Sequence, residues 1–376
     1  MAKQVVDPIA SWFIAAEALG EFIGIRFGHI PPAAKDPEWT FLPHTDYDGI
    51  GGFAEILRRR GASVDRLPQI RHPVSPSWLC LARALPKYLS RRRRVQWGAL
   101  DAGPAPATGS ASPAVPLPPP AVAWHVFDET ATTHVRRVCR RAGVTVNSFL
   151  LKHLTKAIRP SLQDQSSVVP WMIPINIRGK VDRGRDTAVH TSYVGVNVRS
   201  YETVRDVHQN IYAALASGEH WANWQMYLLG RYISLGMQKR LIRAELGASQ
   251  WCIGGFSNLG DWDADKKITQ PDCLGAWLFT PLAWRCLSIA AGCVTFQNRL
   301  SLTIQAHPSL TTTPAVPRAW VENWVKEIEI DLASMLGAIP AAGGGNGAPA
   351  GAKTVGNGFN VAARRYAEFR PDLQNL

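Results

Sequence analysis

The chain has 376 residues, is 46% hydrophobic, contains 14 tryptophans and carries a formal net charge of +12. This length and apolar content are sufficient for two domains with sizeable cores. The positive charge favours an anionic partner, but no nucleic-acid-binding motif accompanies it, so we do not expect nucleic acid as the partner.

The six cysteines form no CxxC pair and show no metal-like spacing with histidine. Buried free thiols in a reducing compartment explain them best. The first thirty residues lack the basic, apolar and cleavage regions of a signal peptide. Residues 273–294 are strongly apolar but contain Pro281 and Arg285, which favours two buried strands around a turn over a membrane span. These features predict a cytoplasmic protein.

Residues 9–25 are predicted to form a helix that leads into a strand, and residues 39–42 a second strand. The chain then turns at His44, Asp48 and Gly49 and enters a helix that runs to about residue 60. A histidine held in a turn at the end of a strand is suited to general-base catalysis.

The segment from His44 to Gly49 has a second interpretation as a metal cluster, formed by His44, Asp46 and Asp48. No second histidine-rich motif supplies the remaining ligands, so we expect no metal. A serine nucleophile is not expected either, because the sequence contains no G-x-S-x-G motif.

The sequence His44-Thr45-Asp46-Tyr47-Asp48-Gly49 resembles the HxxxDG signature of the CoA-dependent acyltransferase superfamily. This family includes chloramphenicol acetyltransferase, nonribosomal peptide condensation domains and wax ester synthases. The resemblance implies an α/β (α+β) fold, a two-lobed chloramphenicol acetyltransferase-like sandwich with a central channel between the lobes. It also implies that His44 is the catalytic base. Members usually have more elements before their histidine, so either the N-terminal lobe is shortened here or the start of the protein is missing.

Pro-, Ala- and Ser-rich residues at 102–123 predict a linker between the lobes. We therefore expect a reduced N-terminal lobe at 1–101, a C-terminal lobe at 124–336 and a flexible Gly- and Ala-rich tail at 337–376. Residues 73–89 are predicted to be a helix of the first lobe.

The second lobe is predicted to open with a strand at 124–128 and a helix at 132–142 that ends at Gly143. A further helix follows, capped by Thr145 or Asn147.

Residues 168–178 are predicted to form a buried strand that ends in Asn176-Ile177-Arg178. This end resembles the P-x-N-x-R strand of the family, in which the arginine pairs with the aspartate of the motif. The resemblance implies that Arg178 clamps Asp48 bidentately, that Asp48 is structural, and that Asn176 and Arg178 support the site. The alternative is that Arg178 is only the solvent-exposed end of a strand.

The segment 254–262 follows a predicted short strand and resembles the Ser-Asn-x-Gly segment of the family, here Ser257 and Asn258. The resemblance places these two residues across the channel from His44, where their side chains can donate to an oxyanion. The alternative is a plain turn with polar caps. The other predicted elements are a strand at 190–199, helices at 204–217 and 224–246, strands at 274–280, 286–295 and 300–306 with a turn at Asn298-Arg299, and a helix at 316–336.

The family resemblance implies transfer of an acyl group from a CoA or acyl-carrier-protein thioester to a small alcohol or amine. Acyl-CoA or acyl-phosphopantetheine is then a co-substrate, and no permanently bound cofactor is expected. Peripheral contact with an anionic membrane surface is a further candidate interaction of the basic chain. Two alternatives stay open: a non-catalytic module that docks carrier proteins or partners, and a thioester hydrolase that uses water as the acceptor.

Overall fold

The computed structural model describes residues 7–90, 95–98, 100, 120–165, 168–247, 252–262 and 268–337. The helices are α1 (Pro8–Glu17), α2 (Gly49–Arg59), α3 (Trp78–Ser90), α4 (Glu129–Ala142), α5 (Val146–Ile158), α6 (Val204–Ala216), α7 (Glu219–Leu228), α8 (Leu235–Gly247) and α9 (Ala315–Gly337). The strands are β1 (Gly24–Ile30), β2 (Glu38–Pro43), β3 (Ala121–Val126), β4 (Val169–Asn176), β5 (Thr191–Val198), β6 (Gly254–Asp261), β7 (Ala276–Thr280), β8 (Ile289–Phe296) and β9 (Arg299–Ala306).

The strands form two separate sheets in the described part of the chain. The larger sheet has six strands in the order β3-β9-β8-β6-β4-β5, and the smaller has three in the order β2-β1-β7. Strand β6 runs parallel to both β4 and β8, whereas the other pairs are antiparallel. Helices accompany both sheets, so the predicted α/β class is confirmed.

Strand β7 joins the two halves of the chain. It lies in the second half of the sequence, yet it pairs with β1 in the small sheet, with Phe27 opposite Phe279. The next strand, β8, returns to the large sheet. The small sheet is therefore completed by a strand from beyond residue 270.

Each sheet has its own core. The large sheet packs on α5 and α9, where Trp171, Phe149 and Trp324 are fully buried and the Trp324 Nε1 donates to the Leu150 carbonyl at 3.0 Å. The small sheet packs on α2, with Phe27 and Phe53 buried together. These two cores fix the positions of the elements that carry the predicted site.

Glycine in α2 allows this helix to approach other elements closely. A Cβ on Gly51 would lie 2.1 Å from the carbonyl oxygen of Thr187, and one on Gly52 would lie 2.9 Å from Ile25 Cδ1. Gly51 therefore requires a residue without a side chain, because the clash is with backbone, whereas a side chain at Gly52 would require Ile25 to move.

The single helix predicted at 224–246 is wrong. Helix α7 begins at Glu219 and ends at Leu228, a short 3-10 turn follows at Leu229–Tyr232, and α8 begins at Leu235. Gly230 packs against α1, where an added Cβ would meet Trp12 Nε1 at 2.6 Å. This tertiary contact breaks a segment whose apolar content alone favours a continuous helix.

The hairpin turn predicted at Asn298-Arg299 is displaced by one residue. Phe296 pairs with Arg299, so the loop is Gln297-Asn298, and both residues have positive φ, 48° and 55°. Two such residues are typical of a tight two-residue hairpin loop.

The strand predicted at 124–128 begins earlier, at Ala121, inside the predicted linker. Residues 121–126 pair with β9 and alternate in burial, which their linker-like composition conceals. Most of the predicted linker (102–119) and nearly all of the predicted tail (338–376) lie outside the described residues. Helix α3 begins at Trp78, after the Pro-rich start that was assigned to it.

All six cysteines are buried and none forms a disulfide, as predicted. Among the described residues, no helix combines the length and the hydropathy that crossing a bilayer requires. The basic run 58–60 is paired within the chain: Arg58 contacts Asp186 at 2.6 Å and Arg59 contacts Glu55 at 2.9 Å. The run 91–94 lies outside the described residues.

Candidate active site

His44 follows β2 directly, and its imidazole is held by the turn. The ring Nδ1 lies 2.7 Å from the carbonyl oxygen of Tyr47, three residues along the chain. A carbonyl oxygen can only accept, so Nδ1 carries the hydrogen and donates it. Nε2 is then the ring nitrogen whose lone pair is available to take a proton, which is the state that a general base needs.

Phe13 of α1 covers the ring of His44. The two ring centroids are 4.7 Å apart and the planes are inclined by 29°. Burial lowers the pKa of His44, and this effect outweighs the hydrogen bond to the Tyr47 carbonyl and the charge of Asp48, which both raise the pKa. The imidazole is therefore neutral at pH 7.

This environment predicts the pH dependence of any reaction in which His44 is the base. Activity is lost as pH falls through the pKa of His44, which lies below its ordinary value of 6.5, so the acidic limb of a kcat/KM profile should lie below pH 6.5. Replacing Phe13 with alanine admits water and should move that limb upwards, towards 6.5. An acidic limb at or above 6.5 in the unsubstituted protein would contradict this assignment.

Asp48 caps the N-terminus of α2 and is 1% exposed. Its Oδ1 accepts from the Gly51 amide at 2.8 Å and from Arg178 Nη2 at 2.6 Å. Its Oδ2 accepts from the His190 amide at 2.8 Å and from the Thr191 hydroxyl at 2.9 Å. These four donors satisfy both oxygens of the carboxylate, and the carboxylate thereby fixes the turn. This arrangement supports the predicted structural role of Asp48.

The predicted ion pair between Asp48 and Arg178 is present, but the bidentate geometry is wrong. One guanidinium nitrogen contacts one carboxylate oxygen, because Arg178 Nη1 donates to Asn176 Oδ1 at 3.2 Å and Nε donates to the Asp186 carbonyl at 2.9 Å. Arg178 is 4% exposed, so the alternative that it is a solvent-exposed strand end is wrong. Asn176 supports it and is itself held by the Pro68 carbonyl, 2.6 Å from Nδ2.

A cavity that is partly open to solvent lies beside His44. Gly49 and His44 contribute to its wall from the small-sheet side, and Ser257 and Asn258 contribute from β6 of the large sheet. A Cβ on Gly49 would lie 2.7 Å from Leu259 Cδ2, so this glycine preserves the close packing of the wall. Much of the remaining wall is apolar and includes Ile25, Ile50, Ile70, Ile173, Phe279 and Leu282.

Ser257 and Asn258 lie within strand β6, so the alternative of a plain turn here is wrong. They pair with Gly292 and Cys293 of β8, and the pairing shifts register after Asn258. Asn258 Oδ1 accepts from the Gly260 amide at 2.9 Å, and Gly260 has φ of +81°. The Asn258 NH₂ group is thereby left as a donor, and Ser257 contributes to the wall of the same cavity.

The metal interpretation of His44, Asp46 and Asp48 does not fit this geometry, because the carboxylate of Asp48 is occupied by its four donors. Within the ranges that the structure covers, no three His, Cys, Asp or Glu side chains are grouped to hold a metal ion.

Comparison with solved structures identifies the fold. The trichothecene 15-O-acetyltransferase from Fusarium sporotrichioides matches with a TM-score of 0.51 and 12% identity over 81% of this chain and 70% of its own. The EpoB cyclization-docking bidomain of a nonribosomal peptide synthetase from Sorangium cellulosum matches with a TM-score of 0.55 and 8% identity over 88% of this chain and 84% of its own. The chain has the CoA-dependent acyltransferase and condensation-domain fold. No family model matches the sequence, and no curated protein matches it.

Within this acyltransferase and condensation-domain fold, most of the predicted site residues meet at one cavity. His44, Gly49, Asn176, Ser257 and Asn258 all line it. Asp48 and Arg178 do not line it; they fix the turn that carries His44.

Three residues at this site were missed from the sequence. Phe13 lies in an apolar helix far from the motif, and nothing in its spacing indicates a contact with His44. Thr191 lies at the start of a strand and binds Asp48. Asn147 was considered only as an alternative helix cap, but Thr145 caps α5, and Asn147 lines the cavity.

Proposed function

We propose that the protein transfers an acyl group from a CoA or carrier-protein thioester to a hydroxyl or amine acceptor, with His44 as the general base. The observation that carries this proposal is the pairing of two features in one cavity. His44 has its Nδ1 committed to the Tyr47 carbonyl, and Ser257 and Asn258, whose side chains carry hydrogen-bond donors, line the same cavity. The shared fold with an acetyltransferase supports the same reaction class.

The reaction follows from these groups. Nε2 of His44 takes the proton of the acceptor as its oxygen or nitrogen attacks the thioester carbonyl carbon, which requires a separation of about 2.6–3.2 Å between the two heavy atoms. The carbonyl oxygen becomes an oxyanion that accepts hydrogen bonds from Ser257 and Asn258. When the C–S bond breaks, the imidazolium returns the proton to the leaving thiolate, so the products are an ester or amide and a free thiol.

Three groups in the site would act without touching the substrate. Asp48 and Arg178 hold the turn, and Phe13 shields the imidazole from water. Both substrates would meet in the cavity, and holding them together supplies much of the rate increase.

Peripheral contact with an anionic membrane surface stays a prediction from the positive net charge of the sequence.

The test is a thiol-release assay with the purified protein and a panel of acyl-CoAs and acyl-pantetheines, with and without alcohol or amine acceptors. We expect thiol release that depends on the acceptor and a product whose mass equals acyl group plus acceptor. Equal release without an acceptor would indicate thioester hydrolysis instead. Tight binding of a carrier protein with no release under any condition would favour a docking module and contradict the proposal.

A further inference from the structure

The wall of the cavity carries no ionised side chain among the described residues. The polar groups that line it are the imidazole, three carboxamides and two hydroxyls, those of His44, Asn147, Asn176, Asn258, Thr191 and Ser257. The ion pair between Asp48 and Arg178 lies behind this wall and does not line it. A charged group bound here would lose its water without gaining a counter-ion, which is strongly unfavourable.

Several of these polar groups already have partners. Asn176 donates to the Pro68 carbonyl and accepts from Arg178, and the Thr191 hydroxyl donates to Asp48. Asn258 uses its oxygen for the Gly260 amide. In the proposed reaction, His44, Ser257 and the Asn258 NH₂ group contact the reacting atoms. Among the polar residues that line the cavity in the described structure, Asn147 therefore remains without an assigned role.

Asn147 is 3% exposed, and its Oδ1 is buried without a hydrogen-bond partner among the described residues. It lies in the first turn of α5, where the capping hydroxyl of Thr145 already satisfies the Ser148 amide. A buried polar atom without a partner is costly unless a ligand supplies one. A half-turn of the carboxamide exchanges its oxygen and nitrogen, so a ligand hydroxyl, which both donates and accepts, can bond whichever end of the carboxamide faces the cavity.

We infer that Asn147 is a specificity-determining residue, and that the substrate in this cavity is uncharged, with an apolar body and a hydroxyl group that binds the Asn147 carboxamide. This inference rests on the proposed function, because it describes the molecule that is held beside His44. The hydroxyl is separate from the group that reacts, and it belongs either to the acyl chain or to the acceptor. The shared chemistry is a neutral hydroxylated aliphatic chain.

The test measures binding in the His44→Ala protein, in which thioesters and acceptors persist. One arm titrates pantetheine thioesters of butyrate, of 2-, 3- and 4-hydroxybutyrate, and of succinate. The other arm titrates 1-butanol, the butanediols and 4-hydroxybutyrate as acceptors. Dissociation constants come from calorimetry. Each ligand is measured again with Asn147→Ala added, and with Asn223→Ala added as the matched control.

Asn223 is a suitable control because it is also buried, 1% exposed, with a partnerless Oδ1, yet it does not line the cavity. We expect the charged ligands to bind at least about tenfold more weakly than their neutral counterparts. In one arm, a hydroxylated ligand should bind roughly three- to tenfold more tightly than its parent, the usual effect of one hydrogen bond. Asn147→Ala should abolish that preference and Asn223→Ala should keep it.

Equal binding of succinyl and butyryl thioesters would overturn the inference, and this comparison does not depend on the folding of any Asn147 variant. A hydroxyl preference that survives Asn147→Ala, or no binding of any neutral ligand, would overturn it as well. The proposed function can fail independently of this inference. If the unsubstituted protein binds these ligands selectively but releases no thiol in an acceptor-dependent manner, acyl transfer is contradicted while the binding preference is retained.

Discussion

Replacing His44 with alanine is expected to lower kcat/KM for acyl transfer by roughly 10²–10⁴-fold, the usual contribution of a positioned general base. The loss should appear mainly in kcat, because the imidazole takes a proton only as the acceptor attacks. The side chain is also stacked on Phe13 and bonded to the Tyr47 carbonyl, so the variant must be shown to fold by circular dichroism and thermal unfolding. The rate is measured by acceptor-dependent release of thiol.

The matched control for this variant is His134→Ala. His134 lies on α4, away from the cavity, so its replacement should change kcat/KM by less than about twofold. A His44→Ala protein that folds and retains the activity of the unsubstituted protein would contradict the role of His44 as the base.

Replacing Arg178 with leucine is expected to destabilise the fold by about 3–5 kcal/mol, because it leaves the carboxylate of Asp48 buried without its cation. Asp48 is 1% exposed and Arg178 is 4% exposed, so water cannot take the place of the guanidinium. The matched control is Arg59→Leu, which breaks an exposed pair with Glu55 and should cost about 0–1 kcal/mol. Chemical denaturation at pH 7 measures both free energies of unfolding.

The difference in the free energy of unfolding between Arg178→Leu and the unsubstituted protein should depend on pH because of Asp48. Burial by itself raises the pKa of Asp48, but the charge and hydrogen bond of Arg178 and the amides of Gly51 and His190 outweigh burial and hold it below the ordinary 3.8. Its contribution to stability is therefore present above the unfolded pKa and lost as pH falls through the folded pKa. In Arg178→Leu the burial effect dominates, so the stability gap to the unsubstituted protein should narrow as pH falls towards 3. A gap that is independent of pH would contradict this account.

The prediction of the site was most accurate for residues that belong to short local motifs. The motif places His44, Asp48 and Gly49 in one turn, and the resemblance of the strand end at Arg178 to the P-x-N-x-R strand of the family implied its contact with Asp48. The geometry of this contact could not be predicted, because it depends on the neighbours of Arg178. Asn176 and the Asp186 carbonyl take the other guanidinium nitrogens.

Contacts between elements that are far apart in the sequence could not be predicted, and the reason is physical. Apolar periodicity indicates that a residue is buried but not what it is buried against. From the sequence, Phe13 is predicted only to be an apolar residue of a helix, β7 only to be a strand, and Gly230 only to be part of a long helix. Each takes its role from a tertiary contact, which local propensity cannot encode.

In the proposed reaction, the thioester carbonyl lies in the cavity between His44 and strand β6. A crystal structure of the His44→Ala protein with an intact acyl-pantetheine bound would show where this carbonyl lies. We predict that the carbonyl oxygen lies within hydrogen-bond distance of the Ser257 hydroxyl or the Asn258 NH₂ group, with the carbonyl carbon facing the position vacated by the imidazole. A thioester bound elsewhere, with this cavity empty or closed, would contradict the account.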